Sequence, residues 1–280
     1  MSSLAPVSPE RHGARRWKRF SSYRFVQDHP LVPIVLGEET QVASALPILF
    51  RSGEERITPV ALTRLGARTA LVAGNGAWRG NYVPSLLRVH PFAAGRTRSG
   101  QFVLMVDEAS GLLSDDPADP AFFDEQGQIA PELAQVVAFF RTRAQAETRT
   151  RAAMEALART RILVPFTPPE DVTALPQEGL LAVDDAALAS VGRVALGDLH
   201  RSGALGLVHA ARVARHHLGF LAAAEAHPGR ADAPDPAPPA ADADAGLGGF
   251  FDALAASQAQ EAGLADFMQG GGSAPPRGTT

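Results

Sequence analysis

The chain has 280 residues, 45% of them hydrophobic and 20% charged, with a formal net charge of -4. That is enough apolar chain for a sizeable core, and the balance of charge gives no reason to expect a nucleic-acid partner. The absence of cysteine excludes disulfides, thiolate metal sites and cysteine nucleophiles.

Lys18 is the only lysine, whereas Arg, Ala, Gly and Pro are abundant. These residues have GC-rich codons, so the arginine excess reads as codon bias. Residues 225–280 hold eight acidic residues and two arginines, while the rest of the chain is nearly neutral. No apolar h-region follows the basic residues Arg11 to Arg24, so no secretory signal is expected and the predicted location is cytoplasmic. No apolar run is long enough to span a membrane.

Residues 1–27 are polar, basic and aromatic by turns and read as a flexible arm. The run Arg11 to Phe20 interleaves cations with rings and is expected to be solvated. Short β-branched runs follow at 31–36, 47–50, 57–62, 69–73 and 102–106, with a short helix over 38–46. Ser52–Glu55 and Gly74–Gly76 read as turns. Close spacing predicts a mainly antiparallel sheet in the N-terminal half.

Pro131 to Arg161 reads as one helix of roughly 45 Å. Leu133, Val137, Phe140, Ala144, Met154 and Leu157 lie on one face, and Arg, Gln and Glu on the other. Pro131 suits a first helical turn. A strand is expected at 180–183, a helix capped by Asp184, another at 196–202 and a last one over 203–226. The fold class is therefore α+β, with a helical C-terminal half and a disordered tail. The expected organisation is an arm (1–27), one α+β domain (28–226), an Ala/Pro/Asp linker (227–246), an amphipathic docking segment (247–268) and a disordered end (269–280). In the docking segment Phe250, Phe251, Leu254 and Phe267 are the candidate contacts.

The stretch Trp78-Arg79-Gly80-Asn81-Tyr82-Val83-Pro84-Ser85-Leu86-Leu87-Arg88-Val89-His90-Pro91-Phe92 resembles the signature of the SapC family of bacterial proteins. Other segments agree in order: Val32-Pro33, Glu39, Pro47-Ile48-Leu49-Phe50, Phe123-Asp124-Glu125-Gln126-Gly127, Leu181-Ala182-Val183-Asp184 and Gly203 to Ala210. The likeness runs from about residue 20 to about 224. His90 stands where the family commonly has Tyr, and Val89 where it commonly has Arg. The family's name implies a role in surface-layer assembly or export. Its members resemble genomic neighbours of flavin-dependent halogenases and iron/2-oxoglutarate oxygenases, which implies an accessory role beside such a partner enzyme.

The residues themselves point to a binding protein more than to an enzyme. Trp78, Tyr82, Arg88, His90 and Phe92 are of the types that dominate contact hot spots, although the same rings can simply anchor a loop to the core. An enzyme would have Arg88, His90, Asp107 and Glu108 as its polar centre. The remaining carboxylates between Asp115 and Glu125 read as turn formers. His209 and His216 are about 10.5 Å apart along a helix, too far to share one ion. The sequence predicts no metal and no cofactor, and no nucleophile elbow, phosphate loop or dinucleotide fingerprint is present.

Overall fold

In a computed structural model, the structure describes residues 4–66, 68–168 and 179–226. The expectations for 227–280, including the docking residues Phe250, Phe251, Leu254 and Phe267, lie outside the described residues.

The chain opens with β1 (Leu4–Pro6), α1 (Pro9–His12) and β2 (Arg16–Trp17). A 3-10 helix at Tyr23–Asp28 leads into β3 (Leu31–Pro33), α2 (Glu39–Ala43), β4 (Ile48–Ser52) and β5 (Ile57–Leu62). A second 3-10 helix, Ser85–Val89, precedes β6 (Phe92–Arg96), β7 (Phe102–Asp107) and β8 (Leu113–Ser114). Next come α3 (Pro131–Thr160), β9 (Leu163–Pro165) and β10 (Leu180–Val183). Four helices close the series: α4 (Asp185–Ala189), α5 (Arg193–Arg201), α6 (Ala204–Ala214) and α7 (His217–Ala226).

The strands form a five-stranded sheet in the order β3-β5-β4-β10-β9, a three-stranded sheet β1-β7-β6 and a ribbon β2-β8. All their pairings are antiparallel. The β4–β5 hairpin follows from two runs of apolar residues joined through the turn Gly53–Arg56, where Gly53 N–H donates to the Arg56 carbonyl at 2.9 Å. Asp184 caps α4 as its position predicts, accepting from the amides of Ala186 and Ala187 at 2.8 and 3.2 Å.

Two apolar clusters make the core. One surrounds the five-stranded sheet with Leu46, Phe50, Leu62, Leu157, Leu207 and Leu221. The other joins Phe92, Leu104 and Val106 of the three-stranded sheet to Leu133, Val136 and Phe140 of α3. Each such side chain contributes about 1.5–3 kcal/mol on leaving water. Helix α3 serves both: its first turns pack on the small sheet, and Ala153, Met154 and Leu157 pack with the large one. The last helix is tied back by Glu225, whose carboxylate accepts from the amides of Leu65 and Gly66 at 2.9 and 2.6 Å.

Three sequence expectations need correction. Residues 4–27 are not a flexible arm: β1 pairs with β7 and β2 with β8, and Val26 and His12 are fully buried. Residues 69–73 form no strand; only Val72 bridges to Trp78. The backbone there closes a turn instead, with Gly76 at φ +90° and its missing Cβ position 2.1 Å from Ser22 Oγ. No side chain fits that place, and only glycine takes that φ freely. The helix expected over 203–226 is two helices, α6 and α7, separated at Arg215–His216.

Candidate functional site

The Trp78–Phe92 segment is folded into the core. Trp78 is 8% exposed. Its indole Nε1–H donates to the Tyr82 carbonyl at 3.0 Å, and its ring meets that of Tyr23 at 5.5 Å. Gly80 permits this curl, because a Cβ there would lie 2.8 Å from the indole nitrogen. Pro84 starts the 3-10 helix Ser85–Val89, which turns Leu87 and Val89 into the core and leaves Arg88 at the surface side. Arg88 lies over the Tyr82 ring at 4.7 Å and donates from Nε to the Val83 carbonyl at 2.8 Å. Phe92 is buried beneath Trp17, edge to face at 5.0 Å.

Beneath the segment lies a buried polar network that the sequence reading missed. Glu38 is 1% exposed and accepts four hydrogen bonds. Its Oε2 takes the Tyr82 hydroxyl and the Ser85 amide, both at 3.1 Å; its Oε1 takes the Val35 amide and Arg143 Nη1, also at 3.1 Å. Arg143 further donates to Ser85 Oγ at 2.7 Å and to the Pro33 carbonyl at 2.8 Å. Burial, and then the Glu38 carboxylate, push the Tyr82 phenol well above its ordinary range. Arg143 was placed on the solvent face of α3, yet it is 1% exposed. A signal was available: Arg143 falls in phase with Val136, Phe139, Phe140, Ala146, Thr150 and Ala153, all buried on one stripe.

The four groups expected of an enzyme centre do not all converge: Asp107 and Glu108 stand apart from the cleft that Arg88 and His90 line. His90 stacks on Phe25 with ring centroids 4.0 Å apart and planes within 9°. Burial and the nearby His29 lower its pKa to about 4, against the opposing pull of Asp107. Asp107 accepts from the Ala109 amide at 3.1 Å, capping a turn. Glu108 pairs instead with Arg11 at 2.8 Å, with His12 Nε2 3.3 Å away. Arg88, His90 and Phe92 do share a small surface cleft with Phe20 and Glu132, which Trp78, Tyr82, Asp107 and Glu108 do not line. Asp116 and Asp124 act as turn formers, each accepting from backbone amides two residues on. Among the described residues no three His, Asp or Glu side chains are grouped as a metal site.

A larger cleft lies beside Arg143. It has a volume of about 590 Å³, within the range of ligand sites, and runs between the β4–β5 hairpin and α3. Pro33, Val35 and Val60 form its apolar base, with Arg143, Glu147 and Thr150 on the helix side. Thus the Tyr82–Ser85 stretch does not face this cleft but holds, through Glu38 and Ser85, a residue that does.

Among the described residues no helix is long and apolar enough to cross a membrane. No curated protein and no solved structure matches the chain. The family model described as SapC matches residues 7–221, which takes in the buried network, both clefts and the Trp78–Phe92 segment, and the chain therefore belongs to the SapC family.

Proposed function

We propose that this protein is a non-enzymatic binding or accessory protein. It acts in the cytoplasm beside a protein partner, in cell-surface assembly or in the modification of a peptide or metabolite by a partner enzyme such as an oxygenase or halogenase. The observation that supports this reading is the separate engagement of the polar groups an enzyme would need. Arg88 is spent on Tyr82 and Val83, Asp107 caps a turn, Glu108 pairs with Arg11, and His90 is stacked on Phe25. A catalytic centre requires such groups around one concave site. A binding protein needs only a rigid surface, and the buried Glu38–Arg143 unit supplies rigidity next to the cleft that Arg143 lines. In this reading residues 247–268 provide a second contact.

The test is incubation of the purified full chain, alone, with peptide and metabolite extract of its native host, followed by untargeted mass spectrometry. No product is expected. A product that forms with the chain alone and is lost in His90→Ala would replace this reading with an enzyme.

A further inference from the structure

The cleft beside Arg143 continues as a groove. Its neighbouring section, about 520 Å³, shares Gly53 to Ile57 of the hairpin and Arg151 and Met154 of α3, and extends to Glu155 and Ala158. From Arg143 to Ala158 the helix advances about 22 Å. One wall is therefore a single helical stripe on which Arg143, Glu147, Arg151 and Glu155 recur every four residues. The other wall is the hairpin, with Arg51, Glu54, Glu55 and Arg56.

Arg51, Arg56 and Arg151 are exposed, as are Glu54, Glu55 and Glu155, and none of the six makes a side-chain hydrogen bond or ion pair among the described residues. Arg143 Nε is buried without a hydrogen bond, with Glu147 Oε1 at 3.3 Å on the groove wall. Between the charges lie Ile57, Val60 and Met154, an apolar floor. Elongation, both signs of charge and an apolar base match an extended polypeptide better than a compact anion. A chain rising about 3.3 Å per residue fills 22 Å with six or seven residues.

The geometry points to this groove as the binding site for an extended peptide segment of about six residues that carries an acidic and a basic group around an apolar side chain. The acidic group meets the arginines Arg51, Arg56 and Arg151, the basic group meets the carboxylates of Glu54, Glu55 and Glu155, and the apolar side chain rests on Val60 and Met154. Tyr82, Ser85 and Glu38 are positioning residues for the Arg143 end. The inference deepens the reading of the chain as a binding protein, and rests on it.

The experiment selects phage-displayed random heptapeptides on the immobilised full chain. The winning sequence is then labelled with fluorescein and titrated by anisotropy. Wild type is compared with Arg51→Ala/Arg56→Ala, with Arg151→Ala and with the control Arg98→Ala on the other sheet. All four positions are exposed, and unchanged thermal melts certify the folds. The expected result is an acidic and a basic residue around an apolar one in the selected sequence, with affinity weakened about tenfold or more in both groove variants, untouched in the control and falling with salt. Failure to select any saturable binder overturns the inference, as does binding indifferent to the groove arginines. Full competition by millimolar inorganic phosphate also overturns it, in favour of a small-anion site. The recovered peptide is weighed by mass spectrometry. Unchanged mass is expected; a changed mass on a groove-dependent peptide keeps the groove and removes the non-enzymatic reading.

Discussion

A single nitrogen of Arg143, Nη1, donates both to Glu38 Oε1 at 3.1 Å and to Ser85 Oγ at 2.7 Å, so the ion pair and the Trp78–Phe92 segment share one buried joint. Removing either charged partner strands the other out of water. Arg143→Leu and Glu38→Gln should each cost about 3–5 kcal/mol, and the double variant should cost less than their sum, because no lone charge remains. Denaturant unfolding of the three variants measures this. Single costs under about 0.5 kcal/mol would show that the joint is not formed.

The phenol of Tyr82 gives a second check. The chain has two tyrosines, Tyr23 and Tyr82, and burial raises both above the ordinary phenol value. Absorbance titration at the ionisation band should therefore show neither tyrosine ionising near pH 10 (about the free value) while the fold persists. Tyr82→Phe should cost about 1–2 kcal/mol, since Glu38 keeps its other donors. A normal titration in the folded protein would contradict the hydroxyl's place in the network.

His90 sets a pH dependence whose sign is fixed. Its folded pKa of about 4 lies below the ordinary imidazole value, because burial and His29 disfavour the cation. The unfolded chain thus takes up the proton first. The contribution of His90 is fully present above about pH 6.5 and declines as pH falls toward about 4. His12, lowered chiefly by burial, adds in the same direction. A His90→Phe variant, which can still stack on Phe25, should flatten the stability profile in that window. NMR titration of the wild type should find the His90 ring neutral at pH 6; a midpoint near 6.5 would refute the placement.

Deleting residues 1–12 tests the folded N-terminus. The deletion removes β1, turns β7 into an open edge and uncovers the site filled by His12 against Phe122. A stability loss of about 2 kcal/mol or more is expected, with aggregation through the freed edge. Unchanged melting would mean that these residues are indeed an arm.

What the sequence made legible was whatever carries a local period or a local cap. Helix α3 announces itself through Pro131 and the spacing of Leu133, Val137 and Phe140, and α4 through Asp184. The N-terminal strands escaped because Leu4-Ala5-Pro6 and Arg16-Trp17 are too short to show any period. Pairing with Asp107 to Met105 and with Leu113–Ser114 makes them strands, and such distant pairing overrides local propensity. Phe92-Ala93-Ala94-Gly95-Arg96 was missed for the same reason, since little in it favours a strand except β7 alongside. The Trp78–Phe92 segment stood out by its residue types, and those types serve burial. Arg143 was overlooked because charge was taken as a mark of solvent, when its phase along the helix carried the information.

The strand order also governs how the chain is made. β1 waits for β7, and β4 cannot acquire its second neighbour until Leu180 and Leu181 arrive opposite Arg51 and Phe50. Everything from the 3-10 helix at Ser85 through α3 is synthesised inside that interval. During translation all strands of the small sheet therefore precede α3, while the large sheet still has an open flank of unpaired backbone groups along β4. A stalled or prematurely ended chain that stops before β10 would leave that flank open, a natural target for chaperones and for quality-control proteases.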